Sequence, residues 1–194
     1  MIDPHWVFVS AALGVIGSVH YSLSTVRGRV RPNLVTWSMW AAAPLIGFFA
    51  QLDSGVGLPA VPTLAAGVGP LTVVATGLIT RHNLARLGLS DLLCAVISVI
   101  TLAFWLGLKN APLAVFLAVM ADATAALPTI RKAWREPDSE NLLFYVLVGV
   151  GATLTLLTIT TWEPTSWAFA AYMLALSVLL VGIVSGRRHA ELQT

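Results

Sequence analysis

A single carboxylate in the middle of an apolar run is where this sequence first offers chemistry. Asp122 lies in Ala-Val-Met-Ala-Asp-Ala-Thr-Ala-Ala-Leu-Pro, residues 118–128. A charge held at the centre of a lipid bilayer costs ~2.5–3.5 kcal/mol on insertion scales, so such a residue turns inward or carries a proton. Two readings fit it: structural glue, hydrogen-bonded to a neighbouring helix, or a functional group, either a substrate contact or a proton-coupling site. Alanines 121, 123, 125 and 126 flank it and let other helices approach closely. Trp37 and Trp40 are three residues apart and share a helix face, continued by Ala41, Pro44, Phe48 and Gln51. An indole pair on a cavity wall stacks a sugar ring or a planar ligand. Trp37, only ~5 Å from the helix end at ~1.5 Å rise per residue, fits an interfacial aromatic belt equally well. We take Trp40, Trp37, Asp122, Asn141 and Asn33 as candidate substrate-binding residues. His20, beside Tyr21 in the inner part of the first helix, is either a second proton-coupling group with Asp122 or a hydrogen-bonded structural histidine. Pro44, Pro70 and Pro128 fall inside apolar segments, where a proline removes a helix hydrogen bond and makes a static kink or a hinge.

These residues need a scaffold of unusual composition. The 194-residue chain is 57% hydrophobic and 10% charged, with a mean hydropathy of +0.84. A soluble domain is about 45–50% apolar and about 25% charged. Lipid is the solvent that accommodates the difference, and only helices or closed barrels span it. The apolar runs are long and continuous, which selects helices. The expected fold class is therefore an all-α integral membrane protein, with spans at 6–24, 34–51, 58–80, 91–108, 112–130, 142–161 and 165–184. The third is expected to start irregularly around Pro59 and Pro62. Threonines 153, 155, 158, 160 and 161 in the sixth bond back to helix carbonyls or line a polar path. Trp6, Trp134, Trp162 and Trp167 read as belt residues.

Charge placement sets the orientation. Ten of the eleven Lys and Arg residues fall in loops 1–2, 3–4 and 5–6 and in the C-terminal tail, leaving Lys109 alone on the other side. That bias puts the C-terminus in the cytoplasm and the N-terminus outside, in a multi-pass protein of the cell (inner or plasma) membrane. No cationic region precedes the first apolar run, so we expect that helix to be retained rather than cleaved as a signal. The basic residues form no stripe for nucleic acid. Cys94 is single, giving no intrachain disulfide or thiolate metal site, and reads as a small buried hydrophobe. No enzyme, phosphate-loop or zinc motif is present, so we expect no catalysis, no cofactor and no metal. A retinal protein would need a lysine in the last helix, and neither Lys109 nor Lys132 lies there.

A shift of 108 positions lays Asn33 on Asn141, Leu34 on Leu142, Arg27 on Arg135, and Val7-Phe8 on Val115-Phe116, with Trp37 on Tyr145. Two helix triplets joined by a fourth helix keep both basic loops on one side. The expected layout is one membrane domain, 1–194, with repeat one at 6–80, a linker helix at 89–108 and repeat two at 112–185. This layout, together with Leu127-Pro128-Thr129-Ile130-Arg131-Lys132-Ala133-Trp134 followed by Glu140-Asn141, resembles the SWEET and PQ-loop transporter superfamily. Neither repeat has the Pro-Gln dipeptide itself, and His20-Tyr21 stands where the first repeat would have its proline. The resemblance implies an alternating-access carrier for a small polar metabolite, sugar-like or other, with its site between the triplets, hinge prolines, and homo-oligomers among its assemblies. The alternative is a receptor or sorting protein, because the KDEL receptor has a similar fold.

Overall fold

The computed structural model describes residues 2–53, 61–80, 85–86, 88–107, 111–159, 162 and 164–191. They form seven α-helices: α1 (Trp6–Val26), α2 (Leu34–Asp53), α3 (Val61–Thr80), α4 (Leu89–Gly107), α5 (Ala111–Arg135), α6 (Leu142–Thr158) and α7 (Pro164–Glu191). A single 3-10 turn, Pro137–Ser139, precedes α6. Helix starts agree with the sequence reading within a few residues, but α5 and α7 run past their expected ends into the basic segments. Arginine and lysine are good helix formers, so the end of an apolar run does not end a helix. Pro59, Arg81, Lys109, Thr160 and Thr161 lie outside the described residues. Pro62 falls in the first turn of α3, where no helix donor is lost.

Local signals explain the ends. After α1, Gly28 adopts φ 70°. The Gly28 amide donates to Thr25 and the Arg29 amide to Ser24, at 3.0 and 2.9 Å. This double closure needs a left-handed residue, which glycine supplies without steric cost. Asn141 caps α6 through Oδ1, which accepts from the Phe144 amide. Asn33 does the same for α2, accepting from Val35 and Thr36. These two asparagines are the residues aligned by the 108-position shift, so their identity reflects helix starts.

Three described helical stretches are long and apolar enough to cross a membrane: Trp6–Val26, Thr63–Thr80 and Ser166–Ala190. Asp91–Ile100 and Leu142–Thr158 are apolar but shorter. The exterior is apolar: Leu92, Leu93, Val96, Ile97, Val99 and Ile100 on α4 are all exposed, and Ile79 on α3 is 82% exposed. The interior holds much of the polarity, including Ser18, Asn33, Thr36, Ser98, Asp122, Thr129, Glu140, Asn141 and Ser177. That inversion suits a hydrocarbon solvent, where apolar surface costs nothing and polar groups must pair inside.

Packing departs from chain order. Helix α3 lies against both α1 and α2, and α7 against both α5 and α6. The two triplets meet through α1 on α6 and α2 on α5, while α4 packs on α5 and α2. Small residues permit these approaches. A Cβ at Gly67 would sit 2.6 Å from Leu45 Cγ, and one at Gly69 would sit 2.6 Å from Ser18 Oγ. Larger side chains there would push α3 off its neighbours.

Candidate functional site

A cavity of about 480 Å³ lies between the two triplets. Helices α1, α2 and α3 contribute Ser10, Gly14, Pro44 and Pro70 to its wall, and α6 and α7 contribute Ala152, Thr155, Phe169 and Met173. Its floor is aromatic, formed by Trp40 and Phe144, whose rings stack at 6.4 Å with 26° between their planes. The cavity extends away from the basic loops, toward Thr63, Thr155 and Ser166.

Asp122 reaches this space from α5. Its position follows from its surroundings in sequence, because Ala121, Ala125 and Ala126 are all buried and bring other helices onto the α5 backbone. The Thr36 hydroxyl of α2 donates to the Ala125 carbonyl at 2.7 Å, and the Ser98 hydroxyl of α4 to Ala121 at 3.0 Å. Held so, the Asp122 carboxylate accepts from Trp40 Nε1 at 3.1 Å and from the Tyr172 hydroxyl of α7 at 2.6 Å. Both bonds fall on Oδ2, and both donors are neutral. Among the described residues no cation pairs with it. Asp122 thus ties α2, α5 and α7 together beside an apolar space, with neutral donors only.

Below the floor the molecule is closed. Tyr21, Trp37, Trp40, Phe144 and Tyr145 pack ring against ring, with Tyr21 and Trp37 centroids 4.5 Å apart. Beneath them sits Glu140, whose side chain is fully buried. Its Oε2 accepts from the hydroxyls of Tyr21 and Tyr145, at 3.0 and 2.7 Å. Its Oε1 pairs with Lys132 Nζ at 2.7 Å. Lys132 also donates to the Arg31 carbonyl, and the Arg31 guanidinium pairs with Glu136. From α7, Arg188 donates to the carbonyls of Pro137 and Glu140 and pairs with Asp138. The two basic loops join directly where the Arg31 amide donates to Ser139. Four of these links run between the α1–α2 region and the α5–α7 region: Tyr21 to Glu140, Lys132 to the Arg31 carbonyl, Arg31 to Glu136 and the Arg31 amide to Ser139.

The residues singled out in the sequence divide between the two layers. Trp40 and Asp122 meet in the cavity wall, hydrogen-bonded to each other. Trp37 is fully buried in the aromatic layer below and does not line the cavity, nor is it at an interface. Asn33 and Asn141 also lie off the cavity, as helix caps at the basic end. Because Asn141 Oδ1 is used as the cap, its Nδ2 faces His20 Nδ1 at 2.8 Å and Ser24 Oγ at 3.1 Å. His20 accordingly pairs with Asn141, far from Asp122, and its Nδ1 is the acceptor. Pro44 and Pro70 line the cavity, and Pro128 is buried outside it. Thr153, Thr155 and Thr158 bond back to carbonyls of their own helix. Trp6, Trp134 and Trp162 are exposed, with the Arg187 guanidinium 5.4 Å from the Trp134 ring. Cys94 is a buried free thiol.

Sequence reasoning missed Tyr172, Tyr21, Phe144, Lys132 and Glu140. Glu140 sits in the charged run Glu136–Glu140, where it looks like one solvated loop residue among several. Its neighbour Asn141 carried the only usable signal, since a cap residue marks the point where the chain turns inward. Comparison of the chain with family models, with curated proteins and with solved structures returns no match. The functional reading therefore rests on the geometry.

Proposed function

We propose that this chain is a seven-span membrane carrier that moves a small metabolite by alternating access between two parallel three-helix repeats. In this reading α1–α3 and α5–α7 are the repeats, α4 is the linker, the N-terminus is outside and the basic end faces the cytoplasm. The interleaved packing supports the repeat: in each triplet the third helix lies between the first two. The observation that carries the function is the cavity between the triplets, closed at the basic end by links between them and extending toward the opposite end. A wall shared by two bodies, sealed on one side by breakable polar contacts, is what alternate exposure of one site requires. SWEET and PQ-loop transporters supply the general scheme. Pro44 and Pro70 remove one helix hydrogen bond each beside the cavity, which suits bending there.

Asp122 is proposed as the proton-coupling group, because it has neutral partners only and faces the space that changes sides. Reconstituted protein tests this. Wild type should accumulate substrate along an imposed pH gradient, whereas Asp122→Asn should fold, exchange substrate and fail to accumulate it. Gradient-driven uptake by the Asn variant at the wild-type rate would leave Asp122 as structural glue. The orientation is tested by reporters: one fused after Thr194 should report cytoplasm and one inserted at Gly55 the outside.

A further inference from the structure

The chemistry of the cavity wall narrows what it holds. Among its described lining residues the only formal charge is the Asp122 carboxylate, with no Lys, Arg or His. Several of its hydroxyls already donate within the protein. Ser10 donates to the Gly151 carbonyl at 2.8 Å, Ser18 to Gly14 at 2.9 Å and Thr155 to Gly151 at 3.0 Å. Most of the remaining wall is Ala, Gly, Pro, Val, Leu, Met and aromatic carbon. A polyhydroxylated guest would give up hydrogen bonds to water and find few replacements, and each unpaired group costs free energy. An anion would meet a carboxylate in a medium of low polarity, where like-charge repulsion is strong.

A cation has the opposite experience. The carboxylate attracts it, and the rings of Trp40, Phe144, Tyr145 and Phe169 offer electron-rich faces to it. The same wall holds two carbonyls without their usual helix donor. Pro44 and Pro70 cannot donate to the carbonyls four residues earlier, those of Trp40 and Ala66, and both residues line the cavity. The single carboxylate limits the guest to one positive charge, and the apolar wall favours carbon substituents around it. We infer that the cavity binds an organic monocation, a tertiary or quaternary ammonium with apolar substituents, through Asp122 and the aromatic floor. This rests on the carrier reading for the site, and it names the class of ligand.

Calorimetry on the purified full chain tests it, with choline and tetraethylammonium as cations and the neutral tert-butyl isostere of choline as the matched control. The cations should bind at least roughly tenfold more tightly than the isostere, the effect of placing charge at a desolvated carboxylate and aromatic faces. Asp122→Asn, which keeps an acceptor for Trp40 and Tyr172, should make choline and its isostere equal. The wild-type comparison needs no variant, so it holds even if Asp122→Asn does not fold. Equal binding of cation and isostere to wild type, no binding of either cation, or a cation preference that survives in a folded Asp122→Asn protein would overturn the inference. Liposome counterflow separates it from the carrier reading. Choline binding without exchange removes the carrier and keeps the cation site. Exchange of glucose with no choline binding removes the cation site and keeps the carrier.

Discussion

The sharpest perturbation of the closed end is Lys132→Met. The Lys132 side chain is 9% exposed and that of Glu140 0% exposed, and the two pair at 2.7 Å. Removing the ammonium leaves a buried carboxylate with two neutral donors, Tyr21 and Tyr145. Breaking one side of a buried pair typically costs about 3–5 kcal/mol, because the remaining charge is uncompensated. Opening the basic end lets water reach the orphaned carboxylate, so that cost falls mainly on the closed state. At about 1.4 kcal/mol per factor of ten, the equilibrium moves roughly 10²- to 10⁴-fold toward opening at that end. Ser24 reports on this: it is buried at the basic end beside Asn141. A Ser24→Cys protein, made with Cys94→Ala so that one thiol remains, should be alkylated slowly by a maleimide and much faster once Lys132→Met is added. Adding Glu140→Gln as well removes the orphaned charge yet keeps an acceptor for both tyrosines, so protection should largely return. This is a non-additive result that only coupled residues give. A melting temperature lowered by Lys132→Met with no gain in alkylation would refute the coupling of this pair to closure of the basic end and leave a purely structural ion pair.

Other expected outcomes follow from the same geometry. Trp40→Ala should abolish ligand binding while the protein still folds, whereas Trp134→Ala should be mild because that ring is 57% exposed; equal, mild effects in a binding assay would remove Trp40 from the site. Gly67→Ala should lower thermal stability by roughly 1–3 kcal/mol, since its Cβ would lie 3.0 Å from the Leu45 backbone nitrogen as well as against its side chain. Gly14→Ala, which meets nothing within 4 Å, should leave the melting curve unchanged. Asn33→Ala should cost about 0.5–2 kcal/mol for a lost cap, and Asn141→Ala more, because it also frees His20 and Ser24; identical melting shifts would mean that the His20 and Ser24 bonds add nothing to stability.

The helices were legible because the apolar runs are long and are broken by arginine-rich loops. The Asp122–Trp40 encounter was half legible: each residue stood out alone, Asp122 by its charge and Trp40 by its depth. Their hydrogen bond was not, since it joins positions 82 apart and depends on how α2 lies on α5. Trp37 shows the limit of helical periodicity. It shares a face with Trp40, yet one turn of depth separates a cavity wall from a sealed aromatic layer. Asn33 and Asn141 show another limit. Their alignment across 108 positions marks recurrence, and recurrence at a helix start is explained by capping before it is explained by ligand.

The same alignment throws the asymmetry of the cavity into relief. Asp122 on α5 stands where the shift of 108 puts Gly14 on α1, and both line the cavity. Tyr172, which holds the carboxylate, corresponds to Leu64, and Trp40 to Val148. Asp122 and Tyr172 therefore belong to the second triplet, where the corresponding positions of the first offer a glycine and a leucine, while Trp40 reaches the carboxylate from the first. A guest with a charged head and an apolar body matches such a wall in one orientation, whereas a uniformly polar guest matches neither half. The closed end is lopsided in the same direction: Lys132, Glu136, Glu140 and Arg188 all belong to α5–α7 and the 3-10 turn region, and the first triplet answers with Tyr21, His20, Ser24 and Arg31. Charge on one body and mostly neutral acceptors and donors on the other give contacts that come apart without stranding a separated ion pair for every link broken. Glu140 keeps Lys132 whichever way the first triplet moves, and only the tyrosine, asparagine and Arg31 links must be remade.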